Sequence, residues 1–192
     1  MKDFIKNFQV NVEMAAAVYL SAQTEAIATH DQKVYILSEP ACGTSACLAG
    51  HAILLEHGSV TRAMDVICTD AISGKSDAGS GTTYPREAMR VLLNGADSLP
   101  RMLIGWKTSA VKLCKNGDIT EDEKDAFLLC IHELRQVFSL DSTSHNREAE
   151  ALDDFYVWVK KWATGDAFAR FKELIALDTA ALYDEAGITV SV

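Results

Sequence analysis

No run of apolar residues in this 192-residue chain approaches the roughly 20 residues that a membrane-spanning helix needs. The first 14 residues also lack an apolar stretch and a cleavage site, so we expect no signal peptide. Basic residues are scarce, 18 against 27 acidic ones, which gives a formal net charge of -9. This deficit argues against a nucleic-acid-binding surface, which needs clustered Lys and Arg to displace counterions from phosphates. We therefore expect a soluble protein that binds neither membrane nor nucleic acid directly.

Cysteine is also sparse and unevenly spaced. The chain has five Cys, an odd number that fits a reducing cytoplasm better than a disulfide framework.

Phosphate-binding and hydrolytic motifs are missing as well. Gly74, Lys75 and Ser76 end like a phosphate-binding loop, but Thr69 stands where its first Gly belongs. Neither HExxH nor GxSxG occurs. We therefore expect no cofactor and a cytoplasmic location.

The acidic excess lies entirely in the last part of the chain. Residues 1–117 carry 11 basic and 11 acidic side chains, whereas residues 118–192 carry 7 and 16. Asn116 and Gly117 mark the boundary, because this pair readily adopts the positive φ that ends a helix. We predict a helical core in residues 1–117 and an acidic helical region in residues 118–192 that packs on it. The acidic side chains form either solvated helix faces or a docking surface for a basic protein.

Most of the chain shows helical periodicity. Apolar residues recur every three or four positions through residues 3–29, which predicts one long N-terminal helix. Residues 33–37 form a short β-prone run that could pair with residues 188–192. Thr120 and Glu123 have the spacing of a capping box, and three further amphipathic stripes follow. We therefore predict a mainly α, multi-helix single domain with at most a short β-ribbon.

The most distinctive segment is residues 42–52, CGTSACLAGHA, which we call the motif. Gly43 is expected to provide a tight bend, and Thr44 is expected to cap a helix that ends before Gly58. In the structural interpretation, Cys47 and His51 face the core, where a free Cys behaves as a small apolar residue. Nothing beyond packing is then required of the motif.

A metal-binding interpretation is also open. Cys47 and His51 lie one helical turn apart, and Cys42 could supply a third ligand from the preceding loop. His57 or Cys68 could complete the set. Thiolate and imidazole are suitable zinc ligands, although the compact CxxC knuckle of most structural zinc sites is missing.

In a third interpretation, Cys42 is a catalytic nucleophile. It would lie just before a helix N-terminus, where free amides and the macrodipole lower the pKa of a thiol. A cysteine nucleophile needs a base, and the fold would have to bring His57, His132 or His145 near it. The chain would then be a cysteine-dependent hydrolase or transferase.

The motif resembles the CGTxACxAG(W/H)A-type motif of small uncharacterised proteins encoded by bacteria and their phages. Residues 3–115 are similar to these proteins in outline, while the region from Asp118 onward is not covered. The resemblance implies no activity, but it suggests a phage or mobile-element origin, with an anti-defence or host-takeover role. His51 stands where Trp is frequent in such sequences, which implies a packing position.

These observations favour a non-enzymatic accessory protein that binds another macromolecule through its acidic region. The candidate contact residues are Glu150, Asp153 and Asp154, and we predict Asp153 and Asp154 to face away from the apolar stripe of their helix. The expected partner is a basic protein. The catalytic use of Cys42 and a zinc module built on Cys42, Cys47 and His51 are the two alternatives.

Overall fold

The computed structural model describes residues 1–32, 36–39, 43–63, 65, 86–94, 106–138 and 147–189. It is mainly α-helical, which confirms the predicted fold class. In chain order its labelled elements are α1 (Lys2–Asn7), β1 (Gln9–Val10), α2 (Val12–Thr24), β2 (Thr29–His30), β3 (Ile36–Glu39), β4 (Gly43–Ala46), α3 (Leu48–His57), α4 (Arg86–Leu92), β5 (Leu93–Asn94), α5 (Trp106–Lys115), α6 (Glu121–Val137), α7 (Arg147–Trp162), α8 (Ala167–Leu174) and α9 (Thr179–Ala186). Residues 60–63 and 65 are helical as well.

The prediction of one long N-terminal helix is wrong. The segment is divided into α1 and α2, because Phe8 is extended and β1 pairs with β5 in antiparallel register. Asn11 then starts α2, since its side-chain oxygen accepts a hydrogen bond from the Met14 amide at 3.1 Å. The helical periodicity of the apolar residues continues across the break. The backbone groups there are nevertheless satisfied by the Asn11 cap and by pairing of β1 with β5 instead of by helical hydrogen bonds.

The strands form two small sheets. One is the β1–β5 pair, and the other has the order β2-β4-β3, with β4 parallel to β2 and antiparallel to β3. Ile36, at the start of β3, pairs with Ala46 of the motif. For the predicted pairing of this run with residues 188–192, the described residues Ile188 and Thr189 belong to no strand, and β3 pairs with β4. Residues 33–35 and 190–192 lie outside the described residues.

Helix α2 lies at the centre of the fold and packs against α3, α4, α7, α8 and α9. Ala15, Ala16 and Ala17 are fully buried, and their small side chains let neighbouring helices approach on several sides. One continuous apolar core therefore joins the motif helix α3 to the helices of the acidic region.

Several predicted helix boundaries are confirmed. Helix α5 ends at Lys115, and Gly117 has a φ of +73°. Thr120 and Glu123 form the predicted capping box: the Thr120 hydroxyl accepts from the Glu123 amide at 3.1 Å, and the Glu123 carboxylate accepts from the Thr120 amide at 2.7 Å. Helix α8 follows the predicted break at Gly165.

Gly58 ends the motif helix as predicted, with a φ of +66°. A Cβ at this position would lie 2.7 Å from the carbonyl oxygen of Thr189. Both the left-handed conformation and this close approach of the backbone exclude larger residues. The end of α3 is thus in contact with the segment that follows α9.

Candidate functional site

The motif forms a strand followed by a helix. The predicted cap at Thr44 is wrong, because Gly43–Ala46 form β4, and Cys47 is the N-cap of α3. The reason is tertiary: β4 is the central strand of its sheet, so hydrogen bonds to strands on both sides keep Thr44 and its neighbours extended. Cys42, the first residue of the motif, lies outside the described residues.

Helix α3 is buried on all sides through most of its length. All eight residues from Leu48 to Leu55 are buried, and α3 packs against both α2 and α4. A helix that is apolar around its whole circumference belongs to a core rather than to a surface. Ala49 and Gly50 add little side-chain volume, which allows this close packing.

Cys47 is fully buried at the start of α3. Burial raises the pKa of its thiol to about 12, although the backbone amides of Gly50 and Ala49 oppose this by favouring the thiolate. Desolvation therefore outweighs the helix N-terminus, which is the reverse of what activates catalytic cysteines. At neutral pH the thiol of Cys47 is uncharged.

His51 lies one turn further along α3 and joins a buried polar cluster. Its Nδ1 shares a hydrogen bond of 2.8 Å with the hydroxyl of Ser21 on α2, and its ring centroid is 5.7 Å from that of His30. Burial, with a smaller contribution from His30, lowers the pKa of His51 to about 3. His51 is therefore neutral at physiological pH and serves as a hydrogen-bonding core residue.

Gln32 is fully buried and connects three parts of the chain. Its side-chain amide donates to the carbonyl of Val137 at 3.1 Å, and its side-chain oxygen accepts from the amide of Leu48 at 3.3 Å. Val137 is the last residue of α6 and Leu48 is the first of α3, so Gln32 satisfies one free backbone group at each helix end.

The zinc hypothesis gains no support from this geometry. Among the described residues, no three side chains of His, Cys, Asp or Glu are placed to hold a metal ion. Cys47 would have to lose a proton that burial holds firmly. Of the other proposed ligands, His57 is described, whereas Cys42 and Cys68 lie outside the described residues.

The nucleophile hypothesis depends on Cys42 and on a nearby base. Of the three candidate bases, His57 ends α3 and His132 is exposed on α6, while His145 lies outside the described residues. These two described histidines therefore lie on different helices, and His132 faces solvent. The catalytic role of Cys42 stays a hypothesis.

The predicted contact residues all lie on α7. Glu150, Asp153 and Asp154 are exposed on α7, while Phe155 and Val159 face the core. Val157, on the same exposed side, has 61% of its surface accessible. We call Glu150, Asp153, Asp154 and Val157 the acidic face of α7.

Sequence reasoning missed two groups of residues. Ser21 and His30, which contact His51, and Gln32, which bridges two helix ends, come from segments that the fold brings together, so no local pattern identifies them. The second group is aromatic: Tyr156 is partly buried on α7 and contacts the rings of Tyr19 and Phe168, and its position three residues after Asp153 is a signal in the sequence.

Comparison with known proteins gives no relative: no family model, curated protein or solved structure matches this chain. Within the part of the chain that the structure describes, no helix is both long enough and apolar enough to cross a membrane. The geometry alone therefore has to support a function.

Proposed function

We propose that this chain is a cytoplasmic, non-enzymatic accessory protein that binds another macromolecule through the acidic face of α7. The partner that fits this face is a basic protein. The observation that carries the proposal is the composition of the face: three carboxylates and a largely exposed Val157 share one side of a single helix.

The positions of these residues make the face continuous. Glu150, Asp153, Asp154 and Val157 follow one another at intervals of three, one and three residues, which places them in one stripe over two helical turns. Carboxylates attract a basic partner over several ångströms, and the exposed valine supplies apolar area that becomes buried on contact. Surface electrostatics of this kind favours fast, salt-sensitive association.

The state of the motif supports a non-enzymatic role. Its residues from Ala46 to Ala52 are buried in the core, where Cys47 is a neutral thiol and His51 a neutral imidazole. A reacting group needs access to substrate and a suitable pKa, and neither residue has them. Burial in the core supports a packing role for the motif residues from Ala46 to Ala52.

The test is affinity capture from the native host, comparing the wild-type chain with the variant E150K/D153K/D154K. We expect the variant to lose a basic protein that the wild type retains, and we expect this binding to weaken as salt is raised. A matched control is D65K/D166K/D184K, which changes the net charge equally at exposed positions outside this face. Equal capture by both variants would reject the acidic face as the contact surface.

A further inference from the structure

Three partly buried aromatic rings lie side by side where α2, α7 and α8 meet. Tyr19 is 6.1 Å from Tyr156 between ring centroids, and Tyr156 is 5.7 Å from Phe168. All three surround the fully buried ring of Phe171. We call Tyr19, Tyr156 and Phe168 the aromatic patch. Because each of the three residues is only partly buried, the patch borders solvent instead of closing into the core.

The aromatic patch adjoins the acidic face of α7. Asp153 is exposed and lies one turn before Tyr156 on the same helix. The two surfaces are also electrostatically linked: burial, followed by the negative charge of Asp153, raises the pKa of the Tyr19 hydroxyl. A carboxylate beside electron-rich rings is a combination that attracts a cation, since both the charge and the ring faces are negative.

The chain itself already places a cation on this patch. The ammonium group of Lys172, on α8, lies 5.4 Å from the ring centroid of Phe168. This distance is within the range of a cation–π contact. One ring of the patch is thus used by an intramolecular cation, while Tyr156 lies one turn from Asp153 on α7 and the charge of Asp153 acts on Tyr19.

We infer that the aromatic patch is the seat for an arginine side chain of the basic partner. The inference rests on the proposed function, and it narrows the partner to a protein segment rich in arginine. The guanidinium stacks on Tyr19 or Tyr156 while Asp153 accepts its hydrogen bonds. Arginine fits better than lysine, because its planar group can stack on a ring and still direct its N–H donors sideways to a carboxylate.

The probe for this inference is an acetylated and amidated hexa-arginine peptide, titrated into the full chain by calorimetry. We expect Tyr156→Leu to weaken binding by roughly 3- to 10-fold, because it removes the ring face and keeps an apolar side chain. Tyr156→Phe is the matched control and should bind as the wild type does, since it retains the ring. A hexa-lysine peptide should bind more weakly and be less sensitive to Tyr156→Leu.

Two further variants test the surroundings of the aromatic patch. Lys172→Gln should tighten binding, because it frees the face of Phe168 and removes a positive charge that repels the peptide. Leu129→Ala changes another exposed apolar residue, 45% accessible on α6, and should leave the affinity unchanged. Thermal unfolding of every variant shows whether its fold is intact before its affinity is compared.

The outcomes distinguish the aromatic patch from the acidic face. Loss of binding in E150K/D153K/D154K, together with unchanged binding in Tyr156→Leu, would overturn the arginine seat and leave the acidic face supported. Equal losses in Tyr156→Leu and Tyr156→Phe would assign the effect to the hydroxyl and also overturn the seat. Failure of the wild type to bind the peptide would overturn the inference, whereas the capture experiment tests the proposed function separately.

Discussion

Helices α3 and α7 differ in how distinctive their sequences are and in how much of each helix is exposed to solvent. Helix α3 contains the most distinctive sequence in the chain, yet its residues Leu48 to Leu55 are all buried. Helix α7 has an ordinary amphipathic sequence, yet it presents three carboxylates and Val157 to solvent. A distinctive motif can thus reflect the demands of close packing, while a surface suited to binding can come from an unremarkable pattern.

The largest expected contrast between the two helices is in stability. Leu48→Ala on α3 should lower the free energy of unfolding by about 2–5 kcal/mol, because it leaves a cavity in a fully packed core. Val157→Ala on α7 removes a mostly exposed side chain and should change it by less than about 0.5 kcal/mol. Urea denaturation of both variants measures the difference, and equal losses would show that α7 is buried in solution.

The second contrast is in pH dependence. An unfolded chain protonates His51 near pH 6.5, whereas the folded protein does so only near pH 3. Between these values the unfolded state binds more protons, so stability falls as the pH falls. Acidification from pH 8 to pH 5 should therefore remove about 2 kcal/mol through His51 alone.

Denaturation curves at several pH values test this expectation. His51→Gln should show a smaller loss between pH 8 and pH 5 than the wild type, whatever its stability at pH 8. His132→Gln is the matched control, because it makes the same substitution at an exposed histidine of α6. Identical profiles for wild type and His51→Gln would mean that His51 is accessible to protons in the folded state.

A smaller effect is expected at the start of the acidic region. Thr120→Ala removes the hydroxyl that accepts from the Glu123 amide, so the capping box of α6 is lost. The free energy of unfolding should fall by about 1 kcal/mol. Thr120→Ser retains the hydroxyl and should restore most of this stability in the same thermal denaturation assay. Equal stability of the Ala and Ser variants would show that the cap does not stabilise α6.

The smallest expected effect on stability accompanies a clear effect on binding. Asp153→Asn on α7 should change the free energy of unfolding by less than about 0.5 kcal/mol, because the side chain is exposed. The same variant should weaken hexa-arginine binding measurably, since it removes a carboxylate next to Tyr156. A destabilised variant with normal affinity would reverse the assignment and make Asp153 a structural residue.

Local sequence signals predicted the parts of this fold that depend on local chemistry. The capping box at Thr120, the stop at Gly117 and the end of α3 at Gly58 all follow from backbone groups satisfied within a few residues. The exposed side of α7 followed from periodicity for the same reason, because the burial of Phe155 determines which residues face outward.

The errors arose where distant segments decide the local conformation. Thr44 is a good N-cap residue, but pairing of β4 with β2 and β3 keeps it extended and moves the cap to Cys47. The break between α1 and α2 depends likewise on β5, more than 80 residues away in sequence. The aromatic patch joins α2, α7 and α8, so no single stretch of sequence could reveal it.

The two side-chain hydrogen bonds of Gln32 have a consequence for unfolding. Its side chain holds the first amide of α3 and the last carbonyl of α6, so neither helix end can open without breaking a buried hydrogen bond. Local fraying at these two ends is thereby coupled, and the regions are expected to lose structure in a single cooperative transition. The amide of Leu48 should accordingly exchange its hydrogen with solvent only at the rate of global opening.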